Sequence, residues 1–152
     1  MPASGRTRWP TMGRAGKPTA MKVLLDTATV IAAIKGRLPV VLRLAQLKPA
    51  EVAVSAVSRM EAEMALRLAP KTNARFTRLL KEFFASVKVL DFTEDEAAQA
   101  VNLVPYLPQG ADALKSFELQ LVATALSHQL TLITDTPQRF AFIPGLDAER
   151  WA

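Results

Sequence analysis

Apolar residues along this chain fall into two alternating rhythms: short solid runs, and longer stretches with an apolar residue every three or four positions. Lys22-Val23-Leu24-Leu25 is a solid run closed by Asp26, the pattern of a strand buried on both faces. Asp26-Thr27 then leads into helical spacing through Val30, Ile31 and Ile34, stopped by Gly36, and a second helix is predicted over Leu38–Leu47, ended by Pro49. Val52-Ala53-Val54-Ser55 is the next strand-like run. Ser58 is the predicted cap of a helix reaching about Leu68, whose apolar stripe is Met60, Met64 and Leu68. A break is expected at Pro70–Asn73, followed by a helix marked by Phe76, Leu79, Leu80, Phe83 and Phe84.

The alternation continues to the end. Val87–Phe92 is predicted as a strand. Thr93 and Glu96 have the spacing of a capping box for a helix reaching about Val104, and Pro105–Gly110 is a loop. Phe117–Gln129 is a nearly continuous apolar helix and Leu130–Thr134 the last strand expected, the pattern being complete by Phe142. Strands alternating with helices predict an α/β fold, with a mainly parallel sheet and helices on both faces. In such a sheet ligands bind beyond the carboxyl ends of the strands.

Composition narrows the chemistry. The 152 residues include no cysteine and one histidine, His128, which excludes disulfides, zinc–thiolate sites and thiol nucleophiles and disfavours His-based triads. No apolar run approaches the roughly 18 residues of a membrane span. The net charge of +5 is concentrated at the start: residues 1–20 hold Arg6, Arg8, Arg14 and Lys17 and no acid, leaving 15 basic against 14 acidic residues elsewhere. That leader lacks the apolar centre of a secretory signal, so export is not supported. It reads as a disordered basic arm or, because Met21 opens the first strand, as an extension from an upstream start. The body from 21 to 152 is one domain.

Acids stand where the strands end. Asp26 follows the first run, Asp135 follows the last, Glu61 lies one turn into the helix after the second, and Glu118 opens the long apolar helix. Carboxylates drawn together repel unless a cation sits among them, and hard oxygen donors without Cys or His favour Mg²⁺ or Mn²⁺. Such an ion supports metal-assisted phosphodiester hydrolysis. Each acid also has an ordinary explanation. Asp26 can cap the next helix, Glu118 suits a helix N-terminus, and Asp135 can be a loop acid. Glu61 is the least ordinary, lying beside the Met60–Met64 stripe, while Glu63 and Asp112 read as surface residues. His128 reads as a helix C-terminal residue, the Phe76–Phe84 cluster as core, and Arg75, Arg78 and Lys81 as a basic stripe on a solvated face.

Taken together, these segments resemble the PIN-domain ribonucleases, and among them the VapC-like toxins of bacterial toxin–antitoxin pairs. MKVLLDTATVIA is similar to the family's opening strand and first acid, here Asp26. SAVSRMEAEMA is similar to the segment of the second acid, here Glu61, and FELQLVATALSHQLTLITDTPQRF to the third-acid helix, the next strand and its loop. The closing IPGLDAERW resembles the tail of many VapC-like chains, so the likeness covers Met21 to Trp151. It implies a PIN-like three-layer α/β/α domain and a cytoplasmic, Mg²⁺- or Mn²⁺-dependent endoribonuclease that leaves a 3′-hydroxyl and a 5′-phosphate. Asp26, Glu61 and Glu118 would hold the metal, with Asp135 as an auxiliary ligand or water-orienting group. It also implies a homodimer and a cognate antitoxin partner that inserts a segment into the site.

Three positions depart from the family pattern. Ala28 stands where Asn is usual, Glu118 where Asp is usual, and Thr136 at the fourth polar position, with Asp135 one place early. The extra methylene of Glu118 moves its carboxylate by roughly an ångström, beyond the ~0.5 Å tolerance of a pre-organised site. These departures support an alternative reading, a degenerate, non-catalytic PIN-like module that binds a protein partner or RNA. A phosphotransferase using Asp26 as nucleophile fits less well, because a second Asp is needed where Ala28 stands.

Overall fold

In the computed structural model, which describes residues 20–68 and 70–151, five strands form one sheet, every pairing parallel, in the order β3-β2-β1-β4-β5. The strands are β1 (Val23–Leu25), β2 (Val52–Ser55), β3 (Lys88–Leu90), β4 (Thr131–Ile133) and β5 (Ala148–Glu149). The helices are α1 (Thr27–Ile34), α2 (Leu38–Ala45), α3 (Ala56–Arg67), α4 (Pro70–Ser86), α5 (Glu94–Asn102) and α6 (Ser116–His128). The solid apolar runs are indeed the central strands: every residue of β1 and β2 is buried.

Side-chain alternation splits the core into two layers. Val23 and Leu25 of β1 join Val54, Ile133 and the inner faces of α1, α3 and α4, whereas Leu24, Ala53 and Leu132 join Leu121, Val122 and Ala125 of α6 on the other side. The two layers make the α/β/α arrangement expected, with one strand more than anticipated. The extra strand, β5, lies in the tail and pairs Leu132 with Ala148 and Ile133 with Glu149.

Three local expectations are corrected. The cap of α3 is Ser55, not Ser58: the Ser55 hydroxyl accepts from the Ser58 N–H at 3.0 Å, so the helix follows β2 without a gap. The break expected at Pro70–Asn73 is the first turn of α4, which starts on Pro70, the helical position where a missing N–H costs nothing. The Met60–Met64–Leu68 stripe of α3 faces outward, with Leu68 85% exposed, while Ser58, Ala62 and Leu66 face the core. The Thr93–Glu96 capping box is present, and Gly36 takes the left-handed φ of 77° that closes α1. Of the leader, residues 1–20, all but residue 20 lie outside the described residues. Among the described residues no helix is long and apolar enough to cross a membrane.

Candidate active site

Because β1 lies between β2 and β4, the residues leaving these three strands emerge along one edge of the sheet. Asp26 leaves β1 with its N–H bonded to the Ile133 carbonyl of β4 at 3.0 Å, which fixes the chain as it turns into α1. Its Oδ1 accepts from the Thr29 N–H at 2.8 Å, so Asp26 is the N-cap of α1. The Thr29 hydroxyl is buried and donates to the same Ile133 carbonyl at 3.3 Å. A cap and a site acid are therefore the same residue. The cap uses one oxygen, and Oδ2 takes no hydrogen bond from the described residues.

Glu61 comes to the same place from α3, which packs on α1. Its Oε1 accepts from the Thr27 hydroxyl at 2.8 Å. Two carboxylates thus hold the first turn of α1, Asp26 through a backbone N–H and Glu61 through a side-chain hydroxyl. Glu61 is half-buried not because it neighbours the methionines, which are exposed, but because it stands next to buried Ala62 on the side of α3 that meets α1.

Glu118 is engaged differently. It is the third residue of α6, and its Oε1 closes a box with the Lys115 N–H at 2.9 Å. Arg139 grips both of its oxygens, Nη2 donating to Oε1 at 2.8 Å and Nε to Oε2. The same Nη2 donates to the Ala113 carbonyl at 3.1 Å. Arg139 sits on a 3₁₀ turn, Pro137–Phe140, anchored by buried Phe140. The guanidinium is the main cause that lowers the Glu118 carboxyl below its ordinary value, against an opposing effect of partial burial, with the Lys115 N–H adding to the depression. Reciprocally, Glu118 raises the Arg139 guanidinium.

Asp135 lies on the exposed loop just past β4, at the same edge of the sheet as Asp26, and makes no ion pair among the described residues. Ala28 is exposed on α1 and offers no polar group. Glu63 pairs with Arg59 at 3.6 Å on the surface, Asp112 is exposed, and His128 reaches Glu96 of α5 at 3.4 Å rather than the carbonyls of its own helix.

The structure therefore brings Asp26 and Glu61 together on α1, joins Glu118 to Arg139, and leaves Asp135 exposed. Among the described residues no group of three or more His, Cys, Asp or Glu is gathered so as to hold a metal ion. As hard oxygen donors, each with an oxygen that takes no hydrogen bond among the described residues, Asp26 and Glu61 have the chemistry that suits a small hard cation, since Mg²⁺ is commonly bound through one or two carboxylates, with water and substrate phosphate completing the shell. Two residues that matter here were not singled out from the sequence. Thr27 stands next to Asp26, and its position beside a site acid is the one signal that could have found it. Arg139 lies 21 positions beyond Glu118, a separation that no local pattern connects.

Acids at the carboxyl ends of the central strands of an all-parallel sheet are shared by several α/β families; the chain belongs to the PIN domain family, whose model matches residues 23–140. Among individual proteins the chain is similar to the tRNA(fMet)-specific endonuclease VapC of Salmonella typhimurium, 25% identical over 135 residues that cover 86% of this chain and 98% of that one. Among solved structures it is similar to DNA-bound VapBC from Salmonella typhimurium, with a TM-score of 0.73, 24% identity, and 87% and 99% of the two chains covered. It is likewise similar to VapBC2 from Rickettsia felis bound to a promoter DNA fragment, with a TM-score of 0.73, 21% identity, and 87% and 100% covered. At these identities the two solved structures establish the fold.

Proposed function

We propose that this chain is a VapC-like toxin, an endoribonuclease that hydrolyses an RNA phosphodiester with Mg²⁺ or Mn²⁺ and is restrained by a cognate antitoxin. The observation that carries the reading is the joint hold of Asp26 and Glu61 on the first turn of α1, at the carboxyl edge of the sheet. The likeness over 86% of this chain to a VapC named as a tRNA(fMet)-specific endonuclease supports RNA as the substrate, and the likeness to VapBC complexes supports an antitoxin partner.

In this reading Asp26 and Glu61 would hold the cation. When bound, a divalent ion supplies Lewis acidity toward a phosphoryl oxygen and lowers the pKa of water. The remaining work belongs to the chain's own groups. The Thr29 N–H fixes the rotamer of Asp26 and the Thr27 hydroxyl that of Glu61, so neither carboxylate has to be ordered when substrate arrives. Asp135, exposed on its loop, orients water or takes its proton. Hydrolysis leaves a 3′-hydroxyl and a 5′-phosphate.

One observation favours the second reading, the non-catalytic module: both oxygens of Glu118 are already taken by Arg139. Incubation of the protein with initiator tRNA, with and without Mn²⁺, separates the two. Metal-dependent cleavage lost in Asp26→Ala establishes the nuclease, and RNA or partner binding without cleavage at any metal concentration establishes the module.

A further inference from the structure

Glu118 stands at the edge where a third metal-binding carboxylate is expected, yet both of its oxygens are used within the protein. Arg139 supplies two parallel N–H donors, the fork geometry that matches a carboxylate, and its Nη2 is shared with the Ala113 carbonyl. The Lys115 N–H adds a third hydrogen bond to Glu118 from the helix terminus. This is a built arrangement: Arg139 is positioned by a turn whose Phe140 is buried in the core, and the carboxylate it meets is itself only 19% exposed. By contrast Asp26 and Glu61 each spend one oxygen on a neutral donor and keep the other open.

We infer that Arg139 is the resident cation of Glu118, a positioning residue that holds this carboxylate away from the metal, so that the site takes a single divalent ion on Asp26 and Glu61. The guanidinium supplies in covalent form the charge neutralisation that a second ion would otherwise bring, and it is always present because it does not deprotonate in a protein. The inference rests on the metal-dependent reading above and makes that reading more specific: one ion, two carboxylates, and a third acid whose task is to anchor the 137–140 turn beside the site.

Mn²⁺ titration followed by calorimetry, with paramagnetic resonance to count bound ions, tests it on the full chain. The wild type should take one Mn²⁺. Glu118→Gln should change its affinity by less than about twofold, while Asp26→Asn should lower it by more than about tenfold. Arg139→Gln, which releases Glu118, should either raise the affinity at least about tenfold or add a second ion, because a freed carboxylate is a new ligand. Arg139→Lys, which keeps the charge but loses the fork, should fall between. Circular dichroism reports whether each variant is folded, and if Arg139→Gln is not, the Glu118→Gln titration decides alone. Loss of Mn²⁺ binding in Glu118→Gln to the extent seen in Asp26→Asn overturns the inference and leaves the nuclease reading standing. Absence of Mn²⁺ binding by every variant overturns both.

Discussion

Thr27 shows how a single hydroxyl can connect two parts of the chain that are far apart in sequence. It donates to Glu61 at 2.8 Å across a separation of 34 residues, from the position adjacent to Asp26. Groups that orient a ligating carboxylate typically change metal affinity or activity by about 10- to 100-fold when removed. Thr27→Val, of nearly equal volume, should therefore reduce Mn²⁺ affinity and RNA cleavage within that range while leaving the melting temperature close to wild type. An unchanged Mn²⁺ isotherm would show that Glu61 needs no such support. The Glu118–Arg139 pair gives a pH signature at the same scale. Arg139 lowers the Glu118 carboxyl below its ordinary 4.5, so the pair stabilises the fold fully above that value and the contribution disappears as pH falls through the depressed one. Arg139 remains charged throughout. Thermal melts of wild type and Glu118→Gln should differ at neutral pH and converge on acidification past 4.5. A constant difference would mean that the pair contributes nothing to stability.

At the scale of elements, α3 separates what periodicity reveals from what it cannot. Met60, Met64 and Leu68 have helical spacing, and a helix forms there, but the spacing does not say which side faces the sheet. The inner face is built from small residues, Ser58 and Ala62, with Leu66, because α3 packs closely on α1 and the long side chains are left outside. Leu66→Ala should cost about 2–5 kcal/mol in denaturant unfolding, whereas Met64→Ala, at a 57% exposed residue, should cost less than about 0.5 kcal/mol. Ser55→Ala removes the cap of α3 and should cost about 1 kcal/mol, while Ser58 at the expected cap position lies inside the helix. Equal costs at Leu66 and Met64 would restore the methionine stripe as the core face. The strands were legible because strands buried on both faces are continuous apolar runs. Pro70 misleads because proline breaks a helix in its interior and begins one at its first turn. Asp26, Glu61, Glu118 and Asp135 were legible as acids at strand ends or helix starts. The grouping they adopt was not, since it depends on Thr27 and Arg139, which reach partners brought near only by the folded sheet.

The whole molecule is closed by its tail. β5 has two residues, Ala148 and Glu149, and with no apolar run it carries no sequence signal of a strand. Its place is set by pairing with β4 and by the anchoring of Trp151 just beyond it. Trp151 is buried against the α1–α4 side of the sheet and its indole N–H donates to Glu149 at 3.1 Å. Arg43 of α2 lies 5.5 Å from that ring and pairs with Glu149 at 2.8 Å, so the last residues bind the second helix to the sheet edge. Trp151→Ala should cost about 3–5 kcal/mol and lower the melting temperature accordingly. A loss within experimental error would show that the tail is merely apposed.

The most direct test of the site uses its position at the carboxyl edge of the sheet. Wild type and Asp26→Asn, both folded, are incubated with initiator tRNA and Mn²⁺ and the cleavage rates compared. Asn keeps an oxygen for the cap of α1 but not the charge, so stability should be largely retained. Cleavage should fall by at least about a hundredfold if a carboxylate here supports metal-assisted hydrolysis. Equal rates in the two proteins would contradict a catalytic role for the Asp26–Glu61 pair. An inactive wild type would contradict the nuclease itself on this RNA.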